Sequence, residues 1–208
     1  VSIPPAQQVP TLNIANVLTV VRILLVPFFI WFLLLDESAD DGSGGLFRWL
    51  AVAVFAVAIY TDKLDGDLAR SRGLITDFGK IADPIADKLL IGAALILLSI
   101  LGELWWWVTI VILVRELGIT VLRFAVIRYG VMPASRGGKL KTVIQTFAIF
   151  LYLLPLAGLV GEWYNWLAVA VMLAAVAVTV VTGLDYIVQA IRLRRSARAS
   201  GQPGDPTS

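Results

Sequence analysis

LFRWLAVAVFAVAIYTDKLDGDLARSRGLITDFGKIADPIADKLLIGAALILLSI, residues 46–100, is strongly apolar at both ends and abruptly charged in the middle. Each apolar end approaches the ~20 residues that span the hydrocarbon of a bilayer. Between them, Asp62, Asp65, Asp83 and Asp87 stand in the spacing D-x-x-D-G-x-x-A-R-x8-G-x-x-x-D-x-x-x-D, with Gly66, Ala69, Arg70 and Gly79 at the other fixed positions. An ionised carboxylate in or beside a bilayer is costly unless something compensates it, so four at ordered intervals ask for a cation. A helix turns roughly 100° per residue, which places Asp62 within roughly 60° of Asp65 and Asp83 within roughly 40° of Asp87. Each pair therefore shares a helix face. If the two helices pack side by side, the four carboxylates form an oxygen-rich cage suited to Mg²⁺ or Mn²⁺.

The remainder of the 208-residue chain fixes the solvent. Hydrophobic residues make up 59% and charged residues 15%, with a mean hydropathy of +0.85, more apolar surface than one soluble core of this size needs. Apolar stretches near 17–35, 46–62, 84–102, 104–127, 142–160 and 164–190 predict an all-α integral membrane protein of six transmembrane helices. The second is short in apolar residues, so its polar end, Thr61 to Arg70, is expected to protrude into water. The first stretch is longer than the apolar core of a signal peptide and contains Arg22 and Pro27, so it reads as a membrane helix.

Histidine and cysteine are absent, which excludes imidazole bases, thiolate nucleophiles and the usual zinc ligands. The net charge of +2 conceals a segregation. With both termini cytoplasmic, Arg70, Arg72, Lys80, Lys88, Arg128, Arg136, Lys139, Lys141 and the C-terminal arginines fall on the cytoplasmic side. The opposite side receives Arg48 with Asp36, Glu37, Asp40, Asp41, Glu103 and Glu162. The asymmetry predicts a multi-pass protein of the cell (inner or plasma) membrane whose aspartates face the cytoplasm. It argues against nucleic acid as a partner, because the positive charge is not gathered on a soluble face.

Residues 1–12, with three prolines, read as a juxtamembrane lead-in, 13–192 as the membrane domain, and 193–208 as a basic, disordered tail. Arg192, Arg194, Arg195 and Arg198 suit the anionic inner leaflet. Trp105, Trp106 and Trp107 suit an interfacial anchor on the outer side. Asn13, Asn16, Thr19 and Arg22 recur every three residues and share one face of the first helix, as the lining of a site or as caps.

The segment from Asp62 to Asp87 resembles, at every signature position, the motif of the CDP-alcohol phosphotransferase family, integral enzymes that join an alcohol to the phosphatidyl group of a CDP-linked lipid. The runs Asn13–Arg22, Arg115–Arg123 and Gly138–Thr142 are similar to the corresponding parts of its bacterial branch that makes phosphatidylglycerol phosphate, and the likeness covers roughly residues 13–192. It implies CDP-diacylglycerol as donor, glycerol 3-phosphate as acceptor, and a homodimer among membrane lipids. It also implies two divalent cations, Mg²⁺ or Mn²⁺, on Asp62, Asp65, Asp83 and Asp87, with Asp87 as general base.

By the same resemblance Gly66, Ala69, Arg70 and Gly79 form the CDP-lipid pocket, although small residues serve helix packing equally well. Arg22, Arg115, Arg123, Lys139 and Lys141 are candidates for the acceptor's phosphate. Snorkelling, or a structural pairing of Arg115 with Glu116, competes with that role. Other acceptors (inositol phosphate, an amino alcohol, or phosphatidylglycerol in cardiolipin formation) remain open. A carboxylate-lined cation transporter is disfavoured, because the aspartates cluster at one membrane face rather than at successive depths.

Overall fold

The computed structural model describes residues 14–36, 45–72, 77–126 and 136–199. Among these residues the chain is helical, with no strand. Its elements are α1 (Ile14–Leu34), α2 (Leu46–Arg72), α3 (Asp77–Ile100), α4 (Trp106–Val126), α5 (Arg136–Leu153), the single turn α6 (Ala157–Val160) and α7 (Trp163–Ala199). The six longer helices overlap the six apolar stretches, with different bounds for α5 and α7. α1 and α7 contain windows long and apolar enough to cross a membrane, Asn16–Leu34 and Trp163–Leu193. α2, α3 and α4 carry more charge, much of it on the motif aspartates and the arginines and lysines singled out above.

Two differences from the sequence expectation have local causes. The stretch 142–160 is not one span, because α5 stops at Leu153. Pro155 lacks an N–H and disfavours helix in the residue before it, so the chain breaks, makes the turn α6 and restarts at Trp163. Gly161 permits the restart with φ +99° while its N–H caps Ala157 O at 2.9 Å. At the other end, α7 continues to Ala199, so the first part of the stretch expected to be a disordered tail is helical. Residues 200–208, like the lead-in 1–12, lie outside the described residues.

The chain divides into two compact units. Unit one comprises 1–98 with 153–161, and within it α1 packs on α2. The buried side of α1 runs Asn16, Thr19, Arg22, Val26, Phe29, Leu33, a stripe at helical spacing whose first half is polar. Phe29 meets Phe55 of α2 with ring centroids 5.7 Å apart, and Ala51 and Ala58 beside it keep that face of α2 low. Arg48 is buried and donates through Nε to Leu153 O at 2.9 Å. Outward, α1 shows Val17, Val20, Val21, Leu24, Phe28 and Trp31 to its surroundings. Polar groups inside and apolar side chains outside is the arrangement that lipid solvation favours.

Unit two comprises 99–152 with 162–208, and within it α4 packs on α7. The approach to α4 is closed by Ser99 Oγ and Thr109 Oγ1, 2.7 Å apart and buried, and by Gly102 at φ +77°. Tyr164 at the start of α7 donates to Leu151 O at 2.8 Å. Exposed Trp105 precedes α4, exposed Trp106 and Trp107 begin it, and exposed Trp163 and Trp166 lie in the first turn of α7. Those are the helix ends at which interfacial tryptophans are expected.

Candidate active site

The motif occupies two consecutive helices of unit one. α2 carries Asp62, Asp65, Gly66, Ala69 and Arg70, and the helix continues through the polar stretch to Arg72. α3 carries Gly79, Asp83 and Asp87. The side chains of Asp65, Arg70 and Asp83, and the surroundings of Gly66, Ala69 and Gly79, lie outside the described residues. Those of Asp62 and Asp87 are described.

Asp62 follows Thr61, whose hydroxyl donates back to Ala58 O at 2.9 Å and keeps the helix closed at the point where the sequence turns polar. Its carboxylate, 43% exposed, meets Arg22 Nη1 at 2.5 Å, and the Arg22 side chain is 1% exposed. The polar half of the α1 stripe therefore ends at an aspartate of the motif. The sequence placed Arg22 among the cations for an acceptor phosphate, whereas the structure sets it against a candidate metal ligand. Asp87 is half-buried one turn before the apolar stripe Leu90, Ala94 and Leu98 of α3.

Four aspartates supply only hard oxygen donors, and the accessibility of Asp62 leaves its carboxylate open to a ligand; this donor set fits a divalent cation such as Mg²⁺ or Mn²⁺. Among the described residues no three acidic side chains converge, since two of the four aspartates are not included.

A second polar cluster lies in unit two, on α4, α5 and α7. Arg115 Nη1 donates to Glu116 Oε1 at 3.0 Å, and Lys141 Nζ donates to the same oxygen. Arg115 Nη2 reaches Thr182 Oγ1 at 3.1 Å, while Thr182 donates to Val178 O at 2.7 Å. The guanidinium carbon stands 5.8 Å from the ring centre of Tyr186, within cation–π range. Lys141 is 4% exposed, Arg115 13% and Glu116 22%.

The cluster joins two of the predicted phosphate-binding cations, Arg115 and Lys141. Arg123 and Lys139 have side chains outside the described residues. Glu116, Thr182 and Tyr186 carry no such role in the sequence reading. Glu116 was visible there as a neighbour of Arg115, but nothing in a linear pattern marks Thr182 or Tyr186, 67 and 71 positions from Arg115 in the chain.

Two helices apolar enough to cross a membrane and a paired-aspartate motif on two successive helices suit a membrane-associated enzyme. The family model for CDP-alcohol phosphatidyltransferase matches residues 12–182, and the chain belongs to that family. It is similar to a Mycobacterium tuberculosis protein named as a probable phosphatidylglycerophosphate synthase, 54% identical over 180 residues, covering 86% of this chain and 82% of that one. Proteins named CDP-diacylglycerol–glycerol-3-phosphate 3-phosphatidyltransferase are also similar. That of Bacillus subtilis is 38% identical over 183 residues (84% of this chain, 93% of that one), and that of Rickettsia typhi 36% over 183 residues (84% and 94%).

Proposed function

We propose that the protein transfers the phosphatidyl group of CDP-diacylglycerol to sn-glycerol 3-phosphate, releasing phosphatidylglycerol phosphate and CMP. The observation that carries this reading is the complete aspartate motif inside a chain of this family, similar over most of its length to relatives named for that reaction. In it, Asp62, Asp65, Asp83 and Asp87 hold two divalent cations, Mg²⁺ or Mn²⁺, which when bound neutralise the donor's diphosphate. Gly66, Ala69 and Gly79 leave room for the nucleotide against the helix backbone, and Arg70 forks onto phosphate oxygens. Asp87 takes the proton from the acceptor hydroxyl as that oxygen forms its bond to the lipid-side phosphorus, and the bond from phosphorus to the CMP oxygen breaks.

The acceptor's phosphate is held by Arg115 and Lys141, with Arg123 and Lys139 contributing. Two cations sharing one carboxylate leave an excess positive charge suited to a phosphorylated acceptor rather than a neutral alcohol. Arg22, paired with Asp62, acts on the motif by orienting that carboxylate. The setting is a homodimer of six-span subunits in the cell membrane, both termini and the aspartates facing the cytoplasm, as the distribution of Lys and Arg suggests.

The test is the purified protein in detergent with CDP-diacylglycerol, Mg²⁺ or Mn²⁺ and a panel of acceptors, followed by CMP release. Glycerol 3-phosphate is expected to support turnover at least tenfold faster than inositol phosphate or an amino alcohol, and EDTA to abolish it. Equal rates with all acceptors, or turnover indifferent to EDTA, defeats the reading.

A further inference from the structure

Glu116 is the only acidic group among those the structure shows in the unit-two cluster, and it is placed to serve both cations at once. A single oxygen, Oε1, accepts from Arg115 Nη1 and from Lys141 Nζ. The two donors arrive from different helices, α4 and α5, on long stems that in water would sample many rotamers. Both are withdrawn from solvent, at 13% and 4% exposure, where two like charges side by side repel with little screening. Arg115 has a second anchor in Thr182 and a third in the Tyr186 ring. Lys141 is tied to the same carboxylate by an ion pair.

We propose that Glu116 is a positioning residue for the acceptor's phosphate, holding the Lys141 ammonium beside the Arg115 guanidinium so that both meet one phosphate group. The inference rests on the assignment of Arg115 and Lys141 to the acceptor. A carboxylate next to an incoming phosphate also repels it. Here the carboxylate is consumed by two cations, and its removal leaves those cations to push each other apart, so organisation outweighs repulsion. The role is one of geometry, and it acts on acceptor affinity through Lys141 rather than on the chemical step.

The experiment is steady-state kinetics of the full chain in detergent for Glu116→Gln, Glu116→Asp, Lys141→Gln and the double variant Glu116→Gln/Lys141→Gln. Glu116→Gln is expected to raise the KM for glycerol 3-phosphate about tenfold, the loss typical of a charge-assisted contact, with the KM for CDP-diacylglycerol within twofold of the parent. Glu116→Asp, one methylene shorter, should recover part of that loss. The double variant should be no worse than Lys141→Gln alone, because Glu116 acts through Lys141.

Additive losses in the double variant, or equal rises in both KM values, would make Glu116 a structural group and overturn the proposal. A lower KM for glycerol 3-phosphate in Glu116→Gln would make it a competitor of the phosphate, which also overturns it. If Lys141→Gln raises that KM and Glu116→Gln does not, the positioning role alone falls. If Lys141→Gln leaves it unchanged, the acceptor assignment falls and the positioning role with it. Should Glu116→Gln not yield folded protein, the Glu116→Asp variant and the pair Lys141→Gln and Glu116→Asp/Lys141→Gln decide by the same criteria.

Discussion

Arg22 shows how one contact redirects a functional assignment. Its guanidinium is buried, and its charge is met by Asp62, a residue of the motif. In the proposed reaction, an arginine so placed sets the direction of the carboxylate that would present its oxygens to a cation. Arg22→Gln is expected to lower kcat at least tenfold, while the KM for glycerol 3-phosphate stays within twofold. The comparator Asp62→Asn should abolish turnover. If Arg22→Gln instead raises that KM at unchanged kcat, Arg22 belongs to the acceptor site, as the sequence alone suggests. The every-third-residue recurrence of Asn16, Thr19 and Arg22 was enough to place them on one face, and the structure buries all three. What periodicity lacks is the identity of the neighbouring helix, so the partner of Arg22 was not legible until α1 was seen to lie on α2.

At the scale of elements, helix positions were largely legible because long apolar runs favour helix, and α1 and α7 keep enough apolar length to cross a membrane. The break at Pro155 and the overrun of α7 to Ala199 were less so, since both occur where composition stays compatible with helix on either side. The α4–α7 contact depends on a small residue that no motif announces. A Cβ built at Gly183 would meet Arg115 Cγ at 3.2 Å and Nε at 3.7 Å. Arg115 Cγ need yield only a few tenths of an ångström, a shift that leaves its bonds of 3.0 and 3.1 Å to Glu116 and Thr182 within hydrogen-bond range. Gly183→Ala should therefore retain activity, with up to about 1 kcal/mol of helix propensity gained against the crowding. Gly183→Leu should push the guanidinium off Thr182 and Tyr186 and raise the KM for glycerol 3-phosphate about tenfold, leaving that for CDP-diacylglycerol little changed. A Gly183→Leu enzyme with parental kinetics would show that Arg115 is not held against α7 for the acceptor.

For the whole molecule, the decisive question is which side of the membrane each end of a helix occupies. The chain has no cysteine, so single introduced thiols report without background. Ser43→Cys is expected to react with a membrane-impermeant maleimide added outside intact cells, and Ser135→Cys only after the membrane is opened. The reverse pattern would place the aspartate motif on the outer face and invert the proposed orientation. The Lys and Arg distribution makes this expectation legible from sequence, because each charge costs several kcal/mol to translocate and the cost is summed over many residues.

The Arg115 cluster also bears on how the chain is made. Arg115 and Glu116 emerge in α4 before Lys141 has been added, and Thr182 lies 67 positions beyond Arg115. At about 5–20 residues per second, Arg115 waits roughly 3–13 s for its hydroxyl partner on the growing chain. In the proposed membrane setting, the release of α4 into lipid over that interval is expected to depend on the arrival of α5 and α7. A nascent chain stalled before residue 182 is then expected to leave α4 more open to protease than one stalled after it, a difference that limited proteolysis of stalled chains reads.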